Sequence, residues 1–188
     1  MAVLVQSLAF VIMAQWFASG GGVVHPLTRR YVLQGRIRLD TKVIYVERDK
    51  HYLEFNDLFE EYASDLPEEV RSKVVGQLFE LPYFHGFICF VNNQPAACAV
   101  CYESFSTYRS MKLLNVHDFM VSERYRGKGL GKILLNGIEQ YCNANEYLKI
   151  TLEVNNNNTV AKKLYQSCGF EDYQVEQKDL NHWQKYLV

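Results

Sequence analysis

Beyond residue 40 the apolar positions fall into two alternating kinds of pattern. Lys42–Arg48 (KVIYVER) is rich in β-branched and aromatic residues and predicts a strand. His51–Leu66 carries Tyr52, Phe55, Leu58, Phe59, Tyr62 and Leu66 at helical spacing. Pro67 opens a second helix with Val70, Val74, Val75, Leu78 and Phe79 on one face, and Pro82 is expected to end it. Phe87–Val91 and Ala96–Tyr102 predict a hairpin about Asn92-Asn93-Gln94-Pro95, and Leu113–Val121 predicts another strand. After a glycine-rich turn, Leu130, Ile133, Leu134, Ile138 and Tyr141 mark a helix. Leu148–Val154 alternates like a strand, and Asn158–Cys168 is a short helix closed by Gly169. Phe170–Val175 and Trp183–Leu187 are expected to close the sheet as a strand pair.

The first forty residues break this rhythm. Met1–Ala18 is apolar and runs into Gly20-Gly21-Gly22. No Lys or Arg precedes it, as a signal peptide would require. It is short for a membrane span and carries Gln6, Ser7 and Gln15. Arg29, Arg30, Arg36 and Arg38 follow, where they would hold an anchor on the cytoplasmic side. His25–Val32 (HPLTRRYV) resembles a translated recombination site of an integron cassette. Residues 1–40 are therefore expected to lie outside the fold, as read-through rather than as targeting or an anchor. Residues 41–188 form the expected domain.

Composition narrows the classes. A chain of 188 residues suffices for one domain, and a formal charge of −1 exerts no bulk pull on nucleic acid or acidic membranes. The 5 cysteines, mostly within apolar runs, read as reduced core residues of a cytoplasmic protein. Cys98 and Cys101 make a CxxC pair, but on a strand residues three apart point to opposite faces. No second CxxC completes a zinc site, so no metal is expected.

Arg126-Gly127-Lys128-Gly129-Leu130-Gly131-Lys132 lies between a strand and a helix. The first amides of a helix lack internal partners and its dipole is positive there, so this turn suits a pyrophosphate. Lys128 and Lys132 add charge, and Arg126 shapes the loop. A phosphate-binding P-loop would need Gly at 126 and Ser or Thr at 133, where Arg and Ile stand. A dinucleotide fingerprint would need Gly at 132 or 134, where Lys and Leu stand.

What remains is Arg-x-x-Gly-x-Gly, followed at a distance by Leu152-Glu153-Val154, Asn158, Ala161, Leu164-Tyr165 and Gly169-Phe170. Together these motifs resemble the GNAT family of N-acetyltransferases over about Lys42–Val188. The resemblance implies an α/β domain with a mixed central sheet of six or seven strands flanked by about four helices. It implies acetyl-CoA as cosubstrate, held by Phe119, Met120, Val121, Arg126, Gly127, Lys128, Gly129, Leu130, Gly131, Lys132, Asn158 and Tyr165. The strand before the loop is expected to splay from its neighbour, with the amide near Met120 donating to the thioester oxygen. Asn158 would contact the coenzyme or cap its helix. Tyr165 would point its hydroxyl at the sulfur. The family also pairs through its C-terminal strands, and Trp183 and Tyr186 suit such a homodimer.

The implied chemistry is direct attack of an amine on the thioester. A lysine-like amine with pKa ~10.4 spends about 4–5 kcal/mol to become neutral at pH 7. A base must take that proton. His117 occupies a place where some relatives carry a catalytic histidine, and imidazole titrates in the right range. Asp118 is the alternative, provided that a bulge turns it, because a regular strand puts Asn115, His117 and Phe119 on one face. Glu103 is a third candidate, and Asn115 and Glu103 are also candidates for orienting substrate. The first two helices would wall the acceptor site, and Glu54, Asp57, Glu60, Glu61, Asp65, Glu68 and Glu69 outnumber Arg71 and Lys73 there. Phe105-Ser106-Thr107-Tyr108 would form another wall. The expected acceptor is a small cationic primary amine. A protein lysine or N-terminus, or a non-catalytic coenzyme-binding role, are the alternatives.

Overall fold

The computed structural model describes residues 40–172. Five strands and four helices lie in this span: β1 Thr41–Tyr45, α1 Arg48–Tyr62, α2 Glu68–Leu78, β2 Phe84–Val91, β3 Gln94–Ser106, β4 Met111–Val121, α3 Leu130–Ala144, β5 Lys149–Leu152 and α4 Thr159–Ser167. The strand order is β1-β2-β3-β4-β5. The first three pairings are antiparallel and β4–β5 is parallel. This is the expected α/β fold. Phe170–Asp172 is not strand, and the rest of the expected closing pair, Trp183 and Tyr186 included, lies outside the described residues, as do residues 1–39.

Several boundaries moved for identifiable reasons. β1 stops at Tyr45 because α1 already starts at Arg48, with the Glu47 carbonyl accepting from His51. Helix α2 begins after Pro67, whose fixed φ and missing N–H suit a helix start. It ends at Leu78, four residues before Pro82. The hairpin turns on two residues rather than four. Asn92 and Asn93 both have positive φ, +48° and +61°, as a type I′ turn requires, so Gln94 and Pro95 belong to β3.

The sheet separates two apolar layers. On one face Phe55, Leu58 and Phe59 of α1 and Val75 and Leu78 of α2 pack on Ile88, Cys98, Val100 and Met120. On the other, Leu130, Leu134 and Ile138 of α3 pack on Phe87, Ala99, Cys101, Leu114 and Val116. Cys98 and Cys101 thus enter different cores, as the strand period predicts. Among the described residues no helix is long and apolar enough to cross a membrane.

Candidate active site

The site forms where β4 loses one neighbour. Parallel pairing of β4 with β5 runs from Leu113↔Lys149 to Val116↔Leu152 and stops. Pairing with β3 continues to Ala97↔Val121, but it slips between Val100 and Cys101, whose partners are Asp118 and Val116. His117 is therefore the extra residue of a β-bulge. Beyond it, among the described residues, 118–121 are paired on one side only.

Hydrogen-bond parity decides which amides face the open side. Ser122 donates its N–H to the Ala96 carbonyl at 2.9 Å, so 122↔96 is a hydrogen-bonded pair. Alternation makes Met120↔Cys98 another such pair, and Ala99↔Phe119 and Ala97↔Val121 non-bonded ones. The Met120 amide is thus turned to β3, and the N–H groups of Phe119 and Val121 point to the open edge. Near Met120 the open edge therefore presents the amides of Phe119 and Val121 rather than that of Met120 itself. Arg126 Nε donates to the outward Val121 carbonyl at 3.1 Å, and its guanidinium pairs with Glu123 at 3.1 Å. Arg126 thereby ties the loop to the open edge.

The glycine-rich turn follows a short 3-10 turn, Glu123–Tyr125. Gly127 and Gly129 have φ of +73° and +80°, a region that costs a residue with a Cβ about 1–2 kcal/mol. Among the described residues, the six amides of Gly127 to Lys132 have no backbone acceptor; the next, Ile133, bonds to Gly129. This donor set at a helix start fits a diphosphate. Gly131 serves a different purpose. A Cβ there would stand 2.9 Å from Leu164 Cδ2 and 3.6 Å from Phe119, so this glycine lets α3 meet α4. The lysines are partly engaged: Lys128 donates to the Arg124 carbonyl at 2.9 Å, and Lys132 to that of Ser167 at 3.1 Å.

Asn158 caps α4, its side-chain oxygen accepting from the Ala161 amide at 3.1 Å. Gly169 follows the helix with φ +84°. Tyr165, in the last turn of α4, meets Phe119 edge-on with ring centroids 6.3 Å apart. Its hydroxyl has no hydrogen-bond partner among the described residues. Burial raises the phenol above its ordinary value, so it stays protonated at neutral pH. The open edge, the amide nest and Tyr165 therefore converge around Phe119.

The bulge also redistributes the base candidates. Phe119 packs on the α3 layer, while Asp118 pairs with Val100 of the α1 layer. Phe119 is thus not on the face of Asn115 and His117, as a regular strand would have it. Asp118 Oδ1 accepts from the Tyr62 hydroxyl of α1 at 2.9 Å. The exposed His117 ring lies 5.1 Å from that of Tyr102, which packs with the α1 layer. Asn115 donates to Thr151 and to the Glu153 carboxylate, each at 3.2 Å.

Glu103 is not part of this group. It pairs with Leu114, which faces α3, and is held there by Lys112 at 3.0 Å and by the Tyr147 hydroxyl. His85 completes that separate cluster, 3.5 Å from Glu103. In the acidic wall, Glu60 and Glu68 are both bound by Arg71. Phe105 and Tyr108 are 58% and 99% exposed, so their aromatic surface is open. Tyr62, one more apolar position of α1 by periodicity, makes a polar contact that the spacing alone does not show. A tyrosine at the exposed end of an apolar stripe is the one signal that it carried.

The chain is 28% identical over 90 residues to the uncharacterized N-acetyltransferase MJ1207 of Methanocaldococcus jannaschii, a match covering 47% of this chain and 40% of that relative. It thus spans about two-fifths of that relative's length. It is 25% identical over 137 residues to the streptothricin acetyltransferase of Escherichia coli, covering 66% of this chain and 73% of the relative. In fold it resembles aminoglycoside N-acetyltransferase AAC(6')-Iy, solved in complex with CoA: the TM-score is 0.64 at 12% identity, over 80% of this chain and 97% of that one. The sequence profile of the Acetyltransferase (GNAT) family matches residues 55–170, more than half of the chain, and the protein belongs to that family.

Proposed function

We propose that residues 41–188 form an N-acetyltransferase domain that moves an acetyl group from acetyl-CoA to the primary amine of a small cationic molecule. The observation that carries this reading is the one-sided stretch of β4 beyond Val116, open beside the free amides of the glycine turn. Acetyl-CoA supplies an acetyl thioester open to attack by a neutral amine. The amides of Gly127 to Lys132 bind its diphosphate. The outward N–H groups of Phe119 and Val121 bind carbonyl oxygens along the open edge and stabilise charge on the thioester oxygen. Tyr165, kept protonated by burial, donates to the departing sulfur. Asp118 and His117, both on the α1 side, receive the amine and its proton, and Asn115 helps to orient it. The acidic residues of α1 favour a cationic acceptor. One relative is named for acetylating streptothricin and one fold relative for acetylating aminoglycosides, which supports the same class. The free cysteines Cys89, Cys98, Cys101, Cys142 and Cys168 suit a reducing compartment, the cytoplasm.

The test is thiol release from acetyl-CoA by the full chain against sisomicin, streptothricin, spermidine and a lysine peptide. Faster turnover of the three small amines than of the peptide is expected. Turnover of the peptide alone would move the function to protein acetylation. Tight CoA binding without turnover of any amine would overturn the enzymatic reading.

A further inference from the structure

Two consecutive side chains at the end of α1 reach β4 and the turn that follows it. Tyr62 donates to Asp118 Oδ1 at 2.9 Å. Glu61 accepts the backbone N–H of Glu123 at 2.8 Å, at the first residue of the 3-10 turn leading into the glycine loop. That turn has no side-chain cap of its own from Ser122, so Glu61 supplies the missing acceptor across 62 positions of sequence. Both residues are exposed, and α1 is anchored in the core by Phe55, Leu58 and Phe59 instead. The two contacts are thus more than the helix needs to stay attached. Burial, and after it the charges of Asp118 and Glu61, push the Cys98 thiol of β3 upward.

We propose that Tyr62 and Glu61 are positioning residues for acetyl transfer, Tyr62 setting the Asp118 carboxylate toward the acceptor and Glu61 holding the entrance of the coenzyme loop. The proposal rests on the acetyltransferase reading above. With Oδ1 occupied by Tyr62, Asp118 presents Oδ2 to an ammonium, and the carboxylate plane is fixed. Burial, then the bond to Asp118, pushes the Tyr62 phenol up to about 12, so it remains a donor throughout the working range. The Glu123 amide, once fixed, sets where Arg126 and the first glycine begin. One helix end therefore registers the acceptor side against the coenzyme side.

The experiment uses the full chain, the fastest-turning amine of the panel, and free CoA as the binding probe. Tyr62→Phe is expected to lower kcat/KM for the amine about tenfold, the weight of one hydrogen bond, with CoA affinity within about twofold. Glu61→Ala is expected to weaken calorimetric CoA binding about tenfold, and Glu61→Gln, whose amide oxygen still accepts the N–H, to restore it. Asp118→Asn separates the levels. If it leaves turnover unchanged, the acceptor reading falls and this proposal with it. If it cripples turnover while Tyr62→Phe does not, the positioning role of Tyr62 alone is overturned. Equal losses in amine and CoA parameters, tracking a drop in melting temperature, would overturn the proposal in favour of a structural role.

Discussion

His117 and Asp118 are consecutive on β4 and yet serve the same side of the sheet, because His117 is the bulged residue between Val116 and Asp118. One extra residue inverts the facing of the strand beyond it. It carries Asp118 to Tyr62 on α1 and Phe119 to Tyr165 on α4. A single local irregularity thus divides the proposed acceptor side from the proposed coenzyme side across one strand. It also falls where pairing with β5 ends, so the amides freed there stand beside both.

The division makes the two base candidates separable. Asp118 is half-buried and oriented by a hydrogen bond, whereas His117 is exposed and held by a ring contact. Asp118→Asn is expected to reduce kcat/KM for the amine about a hundredfold, and His117→Ala about tenfold or less, given the usual range for a positioned acid or base. Steady-state kinetics against the best amine checks the order; the reverse order would name His117 as the base.

Tyr165→Phe removes the hydroxyl and keeps the edge-on contact with Phe119. It is expected to lower kcat between about a hundredfold and a thousandfold while leaving the melting temperature and CoA affinity near wild type. The comparison needs kcat, a thermal melt and CoA titration on one preparation. Unchanged kcat would remove Tyr165 from the chemistry.

Two glycines of the turn are predicted to fail differently. Gly129→Ala places a side chain at φ +80° with nothing within 4 Å of its Cβ, so strain of about 1–2 kcal/mol is expected. Gly131→Ala has ordinary dihedrals but drives its Cβ to 2.9 Å from Leu164. Overpacking of ~1–3 kcal/mol should follow, with α4 and Tyr165 displaced. Denaturant melts give the stability losses. The loss of kcat should be larger for Gly131→Ala.

Acid should destabilise the domain through the cluster on the other face. Burial lowers His85 below its ordinary value, and the attraction of Glu103 only partly opposes this. Burial would raise Glu103, but hydrogen bonds from Tyr147 and Lys112 outweigh it and hold the carboxyl below its ordinary value. Both groups therefore bind protons more readily when unfolded. Stability is expected to be full above the ordinary histidine value of ~6.5. It should fall first as His85 lags its unfolded counterpart, and again below the ordinary carboxylate value of ~4.3 as pH drops through the depressed Glu103 value. Melting temperatures from pH 8 to 3 test this. His85→Gln should remove the upper part of the decline.

Much of this arrangement was legible from residues alone, and the parts that were not share a cause. Periodicity and end signals placed α1 to α4 and β1 to β5 within a few residues: most bury one face and show it in sequence, while α4, which has no buried residue, is marked by Asn158 and Gly169 at its ends. The turn from Arg126 to Lys132 was legible because a helix start needs glycines where the backbone turns left-handed. The bulge at His117 was not, since nothing in NVHDFMV breaks alternation enough to locate the slip. For the same reason the pattern does not show which amides near Met120 face the open edge, or that Glu103 lies on the α3 face. Tyr62 and Glu61 act over 56 and 62 positions of sequence, contacts that periodicity does not encode.

On the proposed function, the open edge of β4 binds and polarises the acetyl thioester. Infrared difference spectroscopy of carbonyl-13C acetyl-CoA bound to the full chain, without amine, measures this directly. Hydrogen bonding from the Phe119 or Val121 amide predicts a carbonyl stretch at lower frequency than in free acetyl-CoA in an aprotic solvent and narrower than in water. A bound carbonyl with the frequency of an unbonded thioester would contradict it.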